Sequence, residues 1–404
     1  MKNNGVERES DVLKANGALC FGCIVKDGVI RPALSPVKIS EFLLNVRFAA
    51  YADKCGKAAL IIGNSLYLAN PDGTAECALE NFTASNPFAF YTGGGDLCIG
   101  GNVDCAVITG DGVEVKPYDF YMYGGAVKNG RLFAQDKEDA YKIRWSGSEG
   151  GLDLKEGLDG AGWLKLNPER GKIIRLASYK GNVVAVCEYG LALLSVSGTP
   201  ETFKVSYIDG AIEKIYGNTA RVAGDKFVFL TERGLRIFDG IKTQNPEIPL
   251  LADVSAPRFC ESCGDEYFLF AESKNLQKNV IFVVNSADYT AYMVDLPATA
   301  AFSNGQLHCF ADGGFYRLDT GGEYTFLSGE LNFGARGRKV IKKIFAGNSA
   351  SVDFEVISGG KSRILRGVQG YCLPCAGGTA FKIKIKSCGE IHGVTAVAEV
   401  LSEF

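Results

Sequence analysis

Between Gly130 and Gly240 the chain repeats one pattern three times: a short run of alternating polarity, a tight turn, a second run and a closing glycine, spaced about forty-five residues apart. The units read NGRLFAQDKEDAYKIRWSG from Asn129, KIIRLASYKGNVVAVCEYGLALLSVSG from Lys172 and TARVAGDKFVFLTERGLRIFDG from Thr219. A period of two gives each run one apolar face, and a sheet of a few such runs cannot cover both of its faces alone. Neighbouring units must therefore stack. Weaker copies start at Lys57, Asp96, Gly264 and Ser303, with start-to-start spacings of roughly 33 to 47 residues, the size of a four-stranded propeller blade. The sequence thus predicts an all-β chain with a six- or seven-bladed β-propeller. No WD or kelch signature is present, and an array of β-sandwiches, which gives a similar rhythm, is the alternative.

Composition narrows the function classes. The 404 residues include 50 glycines, as many tight turns require, and the net charge of −3 argues against a surface that wraps nucleic acid. No stretch approaches the roughly eighteen apolar residues of a membrane-spanning helix, and the N-terminus has no apolar segment after its first charges. Synthesis and folding in the cytoplasm are expected. There, the thirteen cysteines act mainly as small buried hydrophobes, as at Cys98, Cys105, Cys187 and Cys309. The pairs Cys20/Cys23, Cys260/Cys263 and Cys372/Cys375 have C-x-x-C spacing, but they lie far apart in sequence with only His308 and His392 to complete a set of four ligands. No metal and no cofactor is expected.

Three regions follow. Residues 1–35 read as a polar arm and a short hairpin turning at Asp27-Gly28. Residues 36–325 form the propeller. Ser35-Pro36 looks like a helix start, with Ile39, Phe42, Leu43, Val46 and Ala50 at helical spacing; a long strand is the other reading. Residues 326–404 carry about six short alternating runs and predict a small antiparallel β-sandwich, in which Phe381, Ile383 and Ile385 face the core and Lys382, Lys384 and Lys386 the solvent.

Catalytic chemistry finds little support. His308 and His392 lie on apolar strands without a loop that would expose a nucleophile, and are read as structural. Gly359-Gly360-Lys361-Ser362 lacks the first glycine and the helix of a phosphate loop and is read as a turn, while Gly93-Gly94-Gly95 is read as a loop. Asp111, Asp136, Glu138, Asp139, Glu149 and Asp153 are the acids available to a propeller glycosidase, but most occupy turns where aspartate is favoured for its local hydrogen bonds. Tyr118, Tyr121, Tyr123 and Trp145 suit a sugar groove or a blade core equally. The basic run Arg336, Arg338, Lys339, Lys342 and Lys343 either docks on an acidic partner or is the wet face of a strand that buries Val340, Ile341, Ile344 and Phe345.

Four stretches carry a family resemblance: NGRLFA from Asn129 with YKIRWSG from Tyr141; KIIRL from Lys172 with the turn Glu188-Tyr189-Gly190-Leu191; FVFLTERGLRIFDG from Phe227; and GELNFG from Gly329 with KVIKKIF from Lys339 and FKIKI from Phe381. In this order they resemble bacteriophage and prophage tail proteins of the propeller-bearing nozzle or DNA-stabilisation type, over about Gly124 to Leu401. The resemblance implies a non-enzymatic virion component assembled in the bacterial cytoplasm. It also implies a homo-oligomeric ring that contacts an adaptor or portal-like ring and other tail proteins, with DNA only as passing cargo and no membrane. Lack of long insertions departs from the family and weakens any fibre-attachment role. A carbohydrate-binding or glycan-cleaving propeller and an intracellular propeller scaffold are the alternatives.

Overall fold

The computed structural model describes residues 6–117, 121–148, 152, 154, 160–208, 213–348 and 351–401. It divides into two compact units, one of residues 38–289 and 296–317, the other of residues 1–37, 290–295 and 318–404. Among the described residues the only helical pieces are short 3-10 turns.

The first unit is the propeller. In chain order its four-stranded antiparallel sheets span Val46–Leu79, Phe88–Pro117, Tyr121–Lys165, Ile173–Ile208 and Arg221–Gln244. A sixth blade is built on Val254–Cys263, Glu266–Ser273 and Lys278–Asn285, and a seventh on Ala300–Ser303, Leu307–Ala311 and Gly314–Thr320. All seven repeats of the sequence fall in successive blades. The turns explain the repeated glycines. Asn129-Gly130 (φ 50° and 71°) and Lys180-Gly181 (φ 42° and 83°) place two successive residues in the left-handed region, the two-residue geometry that matches strand twist and that glycine enters without a Cβ clash.

Stacking buries what a single sheet leaves open. Phe133, Ile143 and Trp145 of the third blade pack on Leu176, Val183 and Ala185 of the fourth, and Tyr179, Val184 and Val186 of the fourth pack on Phe227, Phe229 and Phe238 of the fifth. At that second junction the Tyr179 hydroxyl donates to the carbonyls of Asp225 (2.8 Å) and Phe238 (3.1 Å). The ring closes where Phe302, Phe310 and Phe315 of the seventh blade pack on Val46, Ala49 and Leu60 of the first.

The fourth strand of the seventh blade, Leu34–Glu41, comes from the N-terminal part of the chain. This corrects the helix expected from Ser35. An edge strand supplies backbone partners to a whole segment, which outweighs an i, i+3, i+4 apolar pattern. Of that pattern, Phe42 and Val46 are buried but Leu43 is 87% exposed, so the apolar set does not act as one helical face.

The second unit is a two-sheet sandwich. One sheet joins Cys23–Lys26, Val29–Pro32, Ile391–Val400 and Lys339–Asn348, with Val6–Asp11 paired to Ile391–Val400 and the short strands Tyr371–Cys372 and Ala376–Gly378 paired to Lys339–Asn348. The other joins Ala291–Val294, Leu19–Phe21, Tyr324–Leu327, Lys382–Ser387, Val352–Ser358 and Lys361–Val368. Ile341, Ile344, Ile391 and Ala396 meet Phe326, Phe354, Ile383 and Ile385 between them. Alternation in Phe381–Lys386 is as expected, with Phe381, Ile383 and Ile385 fully buried. Two boundaries differ from the sequence reading. Residues 1–35 are no separate arm, because Val12, Leu13, Cys23 and Ile30 belong to the sandwich core, and the C-terminal part of the sandwich begins at Leu318 rather than at residue 326.

Candidate functional site

The basic run at 336–343 opens the sandwich strand Lys339–Asn348, and the strand's pleat splits it. Arg336, Arg338 and Lys343 are exposed. Lys342 is half-buried and its ammonium pairs with Glu399 at 2.6 Å. Lys339 is fully buried, its Nζ donating to the carbonyls of Gly337 (2.8 Å) and Thr379 (2.6 Å); burial, then the nearby charge of Arg8, pulls its pKa down. Docking by all five together is therefore corrected: Lys339 faces inward and acts on structure. A bulge between Ile341 and Lys343 shifts the register, so Ile341 and Ile344 are buried while Phe345 is 44% exposed rather than in the core.

Cross-strand register defines what surrounds Lys343. Glu9, Val397 and Lys343 form one row across three strands, and Asp11, Thr395, Phe345 and Tyr371 the next across four. Directly paired residues share a face, so this sheet presents the exposed acids Glu7, Glu9 and Asp11 on its edge strand and Lys343 with the exposed rings of Phe345 and Tyr371 further across. The two rings lie 6.3 Å apart.

A second site escaped the sequence reading. The inner strands of the propeller enclose a cavity of about 510 Å³. Arg47, Arg175, Arg221 and Arg258 of the first, fourth, fifth and sixth blades line it, as do Tyr51, Tyr91 and Phe302 of the first, second and seventh. Among the described residues its lining contains one carboxylate, Glu261, which accepts from Arg221 Nη2 at 2.5 Å. Burial raises the Glu261 pKa, against the opposing pull of Arg221 and Arg175, and burial lowers that of Arg175. No sequence motif marks this set, because each arginine comes from a different blade.

Two of the acids singled out from sequence, Asp136 and Asp139, behave as turn residues. Asp136, 3% exposed, accepts from the backbone N–H groups of Glu138 (2.8 Å) and Asp139 (2.9 Å) and pairs with Arg144. Asp139 accepts from the Tyr141 N–H (3.0 Å) and pairs with Lys165 (2.7 Å). Glu138 and Asp111 are exposed. Trp145 is blade core, 5.2 Å edge-on from Phe203. Tyr118, Glu149 and Asp153 lie outside the described residues, as do the side chains of Tyr121 and Tyr123.

His308 is buried and stacked on Phe302 at 4.9 Å. Burial lowers its pKa, and its Nδ1 has no hydrogen-bond partner among the described residues, so its structural role rests on packing rather than on a hydrogen bond from that nitrogen. His392 is exposed, 3.6 Å from Glu390. Cys20 and Cys23 interact through their thiols. Cys260 and Cys372 are buried, whereas Cys375 is exposed. Among the described residues no three His, Cys, Asp or Glu side chains cluster as metal ligands would. Gly359-Gly360 is the turn between Val352–Ser358 and Lys361–Val368.

No protein-family model matches the sequence, and no curated protein matches it. Solved structures do match in strand arrangement. The extracellular domain of a putative hybrid two-component system from B. thetaiotaomicron is 10% identical, with a TM-score of 0.48 over 85% of this chain and 55% of that one. A quinoprotein alcohol dehydrogenase-like protein from the same organism is 12% identical, with a TM-score of 0.43 over 70% of this chain and 76% of that one. A gluconolactonase from Xanthomonas campestris is 10% identical, with a TM-score of 0.39 over 77% and 99%. This chain spans 55% to 62% of the length of the first two structures it matches.

Proposed function

We propose that this protein is a non-enzymatic assembly component of a phage or prophage tail, made in the bacterial cytoplasm, whose copies join edge to edge into a ring beside an adaptor or portal-like neighbour. The observation that carries this reading is the outer face of the sandwich sheet. Its acids, Glu7, Glu9 and Asp11, lie on the edge strand, and Lys343, Phe345 and Tyr371 lie two and three strands away. Opposite charges at two places on one surface make a heterologous contact favourable, and repeated contacts of that kind close into rings. The two exposed rings supply the apolar contact that rim charges alone do not.

Sedimentation velocity tests the reading. The wild-type chain, alone or with its purified tail neighbours, is expected to form a discrete oligomer at low salt that dissociates toward about 0.5 M salt as screening sets in. Reversal of Arg336, Arg338 and Lys343 to glutamate is expected to abolish it with the fold intact, and adding Glu7→Lys and Glu9→Lys to restore part of it. A monomer under every condition would return the protein to the scaffold or glycan readings.

The glycan-cleaving reading has one observation in its favour, the buried Glu261 with its raised pKa. Glycoside hydrolysis ordinarily uses two carboxyl groups across the scissile bond. Among the described residues the cavity lining supplies only Glu261, already paired with Arg221.

A further inference from the structure

The arginines of the propeller cavity carry more charge than their surroundings neutralise. Arg221 has Glu261. Arg258 makes a single hydrogen bond, from Nη2 to the Ala298 carbonyl at 2.7 Å, and its Nε is buried without a partner. The Arg175 side chain makes no hydrogen bond, ion pair or cation–π contact with any described residue. Its one carboxylate neighbour in the cavity lining is the Glu261 that Arg221 already holds. Guanidinium groups stay protonated at any physiological pH, and Arg175, Arg221 and Arg258 are only partly buried, so their charge is presented to the cavity. With Arg47, which donates to the Gly63 and Ala84 carbonyls, four such groups around the one carboxylate of the described lining leave an excess of positive charge facing a cavity of about 510 Å³, a volume in the range of small-molecule sites.

Backbone geometry aims the unpaired arginines at that space. Arg175 sits at a register shift between Ile173 and Arg175, and Arg258 within another between Ser255 and Phe259; such bulges re-aim a side chain at the rim of a sheet. Flat apolar surface lies beside them in the partly exposed Phe259, stacked on Phe270 at 4.2 Å.

We propose that the propeller cavity binds a small organic phosphate of nucleotide size, its phosphate held by Arg175 and Arg258 and its planar body lying on Phe259. Guanidinium groups hold phosphate through paired N–H donors, and aromatic faces receive a base or other flat ring. The site is independent of ring assembly: loss of binding leaves the sandwich face unchanged, and loss of assembly leaves the cavity unchanged.

Isothermal titration of the full chain at low salt tests this with AMP, inorganic phosphate and adenosine. AMP is expected to bind, phosphate to bind more weakly at the same site, and adenosine not to saturate. Arg175→Gln and Arg258→Gln should each weaken AMP by about ten- to a hundredfold, the loss of one charge-assisted contact. Glu261→Gln should tighten it severalfold by freeing Arg221, an effect that a merely misfolded variant would not give. Circular dichroism melts of each variant report that the propeller is intact. Failure of both AMP and phosphate to bind at about 10 mM, or binding unchanged in both arginine variants, would overturn the proposal.

Discussion

Asp136 separates a catalytic carboxylate from a structural one, and its substitution has a calculable effect. The side chain is 3% exposed and holds the turn after the second strand of the third blade through the N–H groups of Glu138 and Asp139 and through Arg144, with Lys142 Nζ at 3.5 Å. In Asp136→Ala the two backbone bonds are lost at about 1 kcal/mol each, and the Arg144 contact at about 1–2 kcal/mol. Lys142 adds little. The total is about 3–4 kcal/mol. For a propeller unit of about 270 residues, whose unfolding entropy is roughly 0.6 kcal/mol/K, that lowers Tm by about 5–7 °C. Asp136→Asn keeps an acceptor for the turn and is expected to lose about half as much.

The pH dependence has a definite sign. Burial alone lifts the Asp136 pKa, but Arg144 and the N–H groups of Asp139 and Glu138 outweigh it and hold the carboxyl below its ordinary range. A depressed folded-state pKa gives stabilisation that is complete above the unfolded value of about 3.9 and is lost as pH falls below it. Differential scanning calorimetry should therefore show the gap between wild type and Asp136→Asn widest near neutrality and narrowing below about pH 4. A Tm for Asp136→Ala within 1 °C of wild type, measured to roughly that precision, would refute the structural role and reinstate Asp136 as a functional acid.

Other outcomes follow from the same structure. Tyr179→Phe removes the hydroxyl that ties the fourth and fifth blades through Asp225 and Phe238, and should cost about 1–2 kcal/mol in chemical denaturation with no change in fold. Brief thiol alkylation followed by peptide mapping should label the exposed Cys77, Cys375 and Cys388 first. Cys187 and Cys309 should stay unlabelled until unfolding, because burial disfavours their thiolates. Lys339→Met should lower thermal stability by leaving the Gly337 and Thr379 carbonyls without their donor, at about 1–3 kcal/mol. Lys343→Glu should leave stability within about 0.5 kcal/mol and alter self-association alone.

The blade rhythm was legible because it is a local property: period-two alternation and left-handed glycine turns such as Asn129-Gly130 are set by neighbours in sequence. Segments that complete a sheet from far along the chain were not. Leu34–Glu41 leads into a run with apolar residues at helical spacing from Ile39 to Ala50 and becomes a strand because the seventh blade lacks one, and Val6–Asp11 reads as a polar arm until it is paired with Ile391–Val400. The basic run was visible as composition, yet a one-residue bulge after Ile341 decides that Lys343 and Phe345 face out, and no pattern in the letters fixes a bulge. The cavity arginines were invisible for a related reason. Arg175, Arg221 and Arg258 are each an isolated cation in an apolar strand, and only ring closure brings them around one space.

Edge-to-edge assembly through the sandwich face is tested most directly by cross-linking two single variants, Glu9→Cys and Lys343→Cys, in a background where Cys77, Cys375 and Cys388 are serine. Within one copy the two positions are separated by the intervening strand at Val397, about 9–10 Å across two strand spacings and too far for a disulfide. The account predicts disulfide-linked pairs when the two variants are mixed under mild oxidation at low salt, and their loss at about 0.5 M salt. Cross-linking in each variant alone to the same extent as in the mixture, or none in the mixture, would contradict it.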